Sequence, residues 1–151
     1  MYQYYHNRKY DLLIVQHFND FIGAETTQAM VAITKLLPKK DLISLKYVIA
    51  DFRKVSSSTL YDTDRALHTL LHSQFGALRS NLKFVRLYDK DNPATEILIE
   101  RVTRTNDMIK LSIKSTITAF NVYHDREIPA LLDLPQEVVI WADDQWLSPS
   151  R

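Results

Sequence analysis

The chain has no cysteine and only two glycines, Gly23 and Gly76. The first absence removes disulfide frameworks, thiol nucleophiles, Cys-ligated zinc and iron–sulfur clusters together, and it fits a reducing compartment. The second excludes dinucleotide and P-loop chemistry, because phosphate-cradling loops need several glycines for backbone amides to close on the ligand. No Gly-x-Ser-x-Gly elbow occurs, so the strained nucleophile turn of an α/β-hydrolase is missing as well. Charge of one sign is also scarce: 19 Lys and Arg stand against 18 Asp and Glu, a formal +1. Nucleic acid is therefore not an expected partner, since neutralising a run of phosphates needs an excess of cations. No apolar run approaches membrane-spanning length and no basic leader precedes one, so membrane insertion is not expected and the cytoplasm is the expected location.

At 151 residues, 46% of them hydrophobic, the chain can close one core without metal or disulfide. Tyr2 to Tyr5 and Tyr10 to Phe18 are aromatic and β-branched runs around the polar His6-Asn7-Arg8-Lys9, which reads as a hairpin. Asn19 to Gly23 breaks the pattern. From Ala24, Ala29, Met30, Ile33, Leu36 and Leu37 recur at helical spacing until Pro38, and Lys39-Lys40-Asp41 reads as a polar connection. Tyr47 to Ala50 is a short run of the kind buried on both faces of a parallel sheet, ending at Asp51. Ser56 to Thr59 then offers N-caps for a helix whose apolar face is Leu60, Leu67, Leu71, Phe75 and Leu78.

Leu82 to Tyr88 reads as the next strand, and Asn92-Pro93 as the cap and first position of a helix through Ile97, Leu98 and Val102. Residues 105–116 read as its continuation, with a break near Asn106-Asp107 or a strand as the alternatives. Ala119 to Tyr123 is a last strand. Asp125 to Leu132 is a short helix with Pro129 in its first turn. A hairpin followed by alternating helices and strands implies an α/β domain over residues 1–134. Its single mixed, mostly parallel sheet has four or five strands, an N-terminal antiparallel pair and about four flanking helices. Residues 135–151 form a C-terminal tail.

Chemistry-bearing residues are few. His68 and His72 lie one turn apart with Asp64 in the same row, the spacing a helical metal site uses. Thr69 stands where a zincin would carry its general-base Glu, and no third ligand is identifiable, so two histidines bordering a core face is the simpler reading. Glu96 and Glu100, beside Arg101 and Arg104, read as a solvated face. The serines Ser56, Ser57 and Ser58, with Tyr61 and the nearby cations Arg53 and Lys54, are the binding or phospho-switch candidates. They leave the carboxyl end of a parallel strand and would sit on a helix N-terminus. Aromatics gather near the two ends, in Tyr2, Tyr4, Tyr5 and Tyr10 and in Trp141 and Trp146, which suits a homodimer interface.

From about Tyr2 to Leu134 the order of elements resembles the sulfate transporter and anti-sigma-factor antagonist (STAS) superfamily, in its SpoIIAA-like branch. The matching stretches are the hairpin into Asp11-Leu-Leu-Ile-Val-Gln-His-Phe18, the junction Tyr47-Val-Ile-Ala-Asp51-Phe-Arg-Lys-Val55, and Ala119 to Leu132. In regulatory members a serine within Asp-Ser-Ser-Gly-Leu is phosphorylated; the matching Ser57-Ser58-Thr59-Leu60 lacks the aspartate and the glycine, which favours the SpoIIAA-like branch. The resemblance implies a non-enzymatic module that binds a protein partner or a small ligand and needs no cofactor. A metal-dependent enzyme using His68 and His72 is the alternative.

Overall fold

The structure, a computed structural model, describes residues 1–59, 82–112 and 118–139. Five strands form one sheet in the order β1-β2-β3-β4-β5: β1 (Tyr2–Asn7), β2 (Leu12–Ile22), β3 (Tyr47–Thr59), β4 (Lys83–Leu87) and β5 (Thr118–Val122). β1 and β2 are antiparallel and every later pairing is parallel. The helices are α1 (Gly23–Leu36), α2 (Lys39–Ser44), α3 (Thr95–Ser112) and α4 (Ile128–Leu132), with single 3-10 turns at Asp125–Glu127 and Gln136–Val139. The expected architecture is thus present. Residues 105–112 are helical, and Pro129 lies in the first turn of α4 where its missing N–H costs nothing.

Leu12 to His17 is buried without interruption because β2 is covered on both faces. On one face Leu12, Ile14, Ile49, Val85, Leu87 and Val122 pack under Ile128 and Leu132 of α4. On the other, Tyr4, Leu13 and Val15 meet Ile33 and Leu37, while nearer the carboxyl ends of the strands Phe21, Phe52, Val55 and Tyr88 meet Ala94 and Leu98 of α3. Leu36, which the helical spacing assigned to the buried face, is 56% exposed.

Several boundaries differ from the sequence reading. β2 runs through Asn19 to Ile22 with register shifts on either side of Phe18 and Asn19, and Lys39–Ser44 forms a helix where a polar connection was expected. β3 continues past Asp51 to Thr59, so Ser56–Thr59 belongs to a strand. With glycine scarce, the left-handed positions fall to Asp11, Asn19 and Asp133, residue types whose short polar side chains tolerate them. Asp11 closes the hairpin and its carbonyl accepts from the amides of Lys46 and Tyr47. The expected helix over 60–78, with Leu67 and Leu71, lies outside the described residues.

At the amino end of the parallel strands, Arg8 Nε pairs with Asp41 of α2 at 3.0 Å and Lys46 with Asp11 at 3.3 Å. Beside them His6 Nε2 is buried without a hydrogen-bond partner among the described residues. Burial pulls the His6 imidazole below its usual value and Arg8 adds to that, against the opposing pull of Asp41 and Asp11. A histidine whose folded value is lowered takes up its proton less readily folded than unfolded, so stability falls as pH drops through the ordinary value of about 6.5 and levels off below the lowered one. His6→Gln should therefore show a shallower loss of stability with acid than the parent, measured by urea denaturation across that range; equal slopes would show that His6 is not desolvated.

Candidate functional site

Gln16 of β2 stands opposite Asp51 of β3 and Gln3 of β1. Strand alternation puts Gln3, Gln16 and Asp51 on the α4 face of the sheet. Asp51 is fully buried, and four donors converge on its carboxylate. Gln16 Nε2 and Arg53 Nη2 each donate to Oδ2 at 2.9 Å, and the Arg53 amide and Nε each donate to Oδ1 at 3.0 Å. Gln3 Nε2 donates to Gln16 Oε1 at 2.7 Å, and Arg53 Nη1 reaches Asp125 Oδ2 at 3.2 Å beyond β5. The hydrogen bond from Arg53 to Asp51 holds the guanidinium above its usual value against its own desolvation. A polar row thus crosses the carboxyl end of the sheet from edge strand to closing segment.

The residues alternating with these form an aromatic row on the opposite face, one side chain from each strand or its end. Tyr2 and His17 are 6.5 Å apart. His17 stacks on Phe52 at 5.1 Å and Phe52 on Tyr88 at 5.4 Å. Tyr88 meets Tyr123 at 6.4 Å, and Lys90 Nζ lies 4.8 Å over the Tyr123 ring. Phe21 stands edge-on to both His17 and Phe52. Tyr88 is 1% exposed, burial drives its phenol far above the usual range, and its hydroxyl has no hydrogen-bond partner among the described residues.

Past the end of β4, the open edge of β3 is sealed by side chains. Asn92 Nδ2 donates to the carbonyls of Arg53 at 3.2 Å and Val55 at 2.6 Å, and Arg101 of α3 donates to that of Ser58. Asn92 Oδ1 also accepts from the Ala94 amide at 2.9 Å, fixing the turn into α3, which begins at Thr95 and not at Pro93. These bonds do what a continuing fourth strand would do.

The serine candidates fall on that sealed extension. Ser56 and Ser57 are exposed, Ser57 donates to the Asp20 carboxylate, and Ser58 Oγ is buried without a hydrogen-bond partner among the described residues. All three lie in a strand, whose dipole largely cancels, and the Asp20 carboxylate beside Ser57 repels negative charge; the helix expected to follow lies outside the described residues. Arg53, expected only as a nearby cation, is bound to Asp51, while Lys54 is exposed. Tyr61, Asp64, His68 and His72 lie outside the described residues. Among the described residues no group of three or more His, Asp and Glu is arranged to hold a metal, and no helix is long and apolar enough to cross a membrane. Sequence reasoning missed Gln16, Arg86, Tyr88, Asn121 and Asp125; the usable signal was a polar residue inside an apolar strand run, as in Phe84-Val85-Arg86-Leu87.

The chain matches no family model, no curated protein and no solved structure.

Removing one partner of a buried charge pair strands the other, at about 3 to 5 kcal/mol. Asp51→Ala should lose stability in that range, whereas Asp125→Ala, whose carboxylate is 40% exposed, should cost under about 1 kcal/mol. Equal effects in urea denaturation would show that Asp51 is not the anchor.

Proposed function

We propose that the chain is a non-enzymatic cytoplasmic interaction or regulatory module of the SpoIIAA-like kind, binding a protein partner or small ligand at the carboxyl end of its parallel strands. The observation that carries this reading is the pair of rows at that end: charged and amide groups on one face and aromatics on the other, all held by neighbouring strands. Open α/β sheets bind ligands outside the carboxyl ends of their strands. Groups locked before binding lose little entropy on it, which is what a recognition surface needs. Asp51 and Arg53 are engaged with each other and with Gln16 and Asp125, so they serve as a scaffold and not as a general base and its acid. The absence of cysteine supports a reducing compartment.

A homodimer forms part of this reading. β1 is an edge that, among the described residues, pairs only with β2, over six residues without a register break. It carries none of the lysines, prolines or bulges that blunt an edge. Two copies related by a two-fold axis normal to the sheet would set Tyr4 against the partner's Tyr4, with no like charges apposed. Light scattering should report a dimer; a monomer at high concentration would remove this part of the proposal.

The binding reading is tested by cross-linking in the native cell. Lys90 and Arg126 are exposed at the carboxyl end, Lys39 and Lys40 at the other. Lys90→Glu with Arg126→Glu should lose the partners that the parent recovers, while Lys39→Glu with Lys40→Glu should keep them. Recovery unchanged by the first pair, with both variants folded by circular dichroism, would place the binding surface elsewhere.

A further inference from the structure

Leaving a half-buried cation without an ion pair, or a buried hydroxyl without any hydrogen bond, is costly, so a site that holds both is incomplete until a complementary group arrives. β4 carries such a pair. Phe84 packs with the amino-end cluster and Tyr88 with the carboxyl-end cluster on the α1 and α3 side, whereas Val85 and Leu87 pack on the α4 side. Strand alternation therefore sets Arg86 on the face of Tyr88, two residues away. The Tyr88 amide still donates to the Val122 carbonyl at 2.9 Å, so the alternation holds through that residue.

Among the described residues the half-buried Arg86 guanidinium makes one side-chain hydrogen bond, from Nη1 to Asn121 Oδ1 at 3.3 Å, directly across on β5. Burial pulls its ionisation below the usual value, with Tyr88 and Asp107 of α3 acting the other way. A neutral amide oxygen at that distance satisfies one of five donors and none of the charge. The Tyr88 hydroxyl, on a side chain 1% exposed, has no hydrogen-bond partner among the described residues. Arg53 shows the contrast within the same sheet: its guanidinium sits on two carboxylates.

We infer that Arg86, Tyr88 and Asn121 form a binding site for an oxyanion, a carboxylate or a phosphate, on the α3 face of β4 next to the carboxyl end of the sheet. The guanidinium supplies the charge and a planar pair of N–H donors, the phenol a further O–H donor from the buried side, and the Asn121 amide nitrogen a donor from the exposed side. Asp107 is the carboxylate whose charge bears on Arg86, and an arriving anion competes with it. This inference rests on the binding reading above and names the ligand chemistry of that same end of the sheet.

The test is calorimetric titration of the full chain with inorganic phosphate and, separately, with acetate, against chloride at equal ionic strength. Saturable binding of at least one is expected, and the tighter of the two identifies the ligand class. Tyr88→Phe removes only an unpaired oxygen, so it should leave the melting temperature of the ligand-free chain unchanged or raised and weaken anion binding about tenfold. Arg86→Gln should abolish binding. No saturable binding of either anion, or binding indifferent to Tyr88→Phe, would overturn the site. Anion binding that depends on Tyr88, together with cross-linked partners indifferent to Lys90 and Arg126, would keep the anion site and overturn only the wider assignment of partners to this end.

Discussion

A carboxylate buried in the central strand of a parallel sheet must be matched by donors, and Asp51 organises the carboxyl end of this fold through the donors it recruits. Its carboxylate takes two bonds from one edge of Arg53, one from the Arg53 amide and one from Gln16. Gln16 is in turn bound by Gln3 of the edge strand, and Arg53 by Asp125 beyond β5. One charge therefore ties β1, β2, β3 and the closing segment together. Networks of this kind add little net stability over an apolar core, yet an unmatched member is expensive, so they favour a single register.

The second constraint is the length of β3. It outruns β4 from Phe52 to Thr59, more than half its length, and along that stretch the carbonyls of Arg53, Val55 and Ser58 accept from Asn92 and Arg101. Asn92 fixes the start of α3, and α3 then lies over the aromatic row with Ala94 and Leu98. The turn into α3 is thus held by the same side chain that covers part of an exposed strand edge.

Much of this was legible in the sequence, because the apolar runs at Leu12 to Phe18, Tyr47 to Ala50 and Leu82 to Tyr88 have strand length and are bounded by polar residues. The junction at Asp51 with Arg53 close behind was legible too, though not their pairing. Ser56 to Thr59 misled because a polar, serine-rich segment has the local signature of a helix cap. It becomes strand through partners remote in sequence: Asp20, Phe21 and Ile22 on one side and Arg101 on the other. Lys39–Ser44 was too short for its helical spacing to stand out from a loop. Arg86 and Tyr88 sit inside an ordinary strand pattern, and nothing in the sequence tells a satisfied arginine from an unsatisfied one.

The central claim, that the carboxyl end of the parallel strands is where this protein binds, is tested most directly by amide hydrogen exchange of the full chain in phosphate and in chloride at equal ionic strength. The account predicts slower exchange in phosphate over residues 84–92 and 119–125, with residues 39–46 unchanged. Protection confined to residues 39–46, or identical exchange throughout in the two salts, would contradict it.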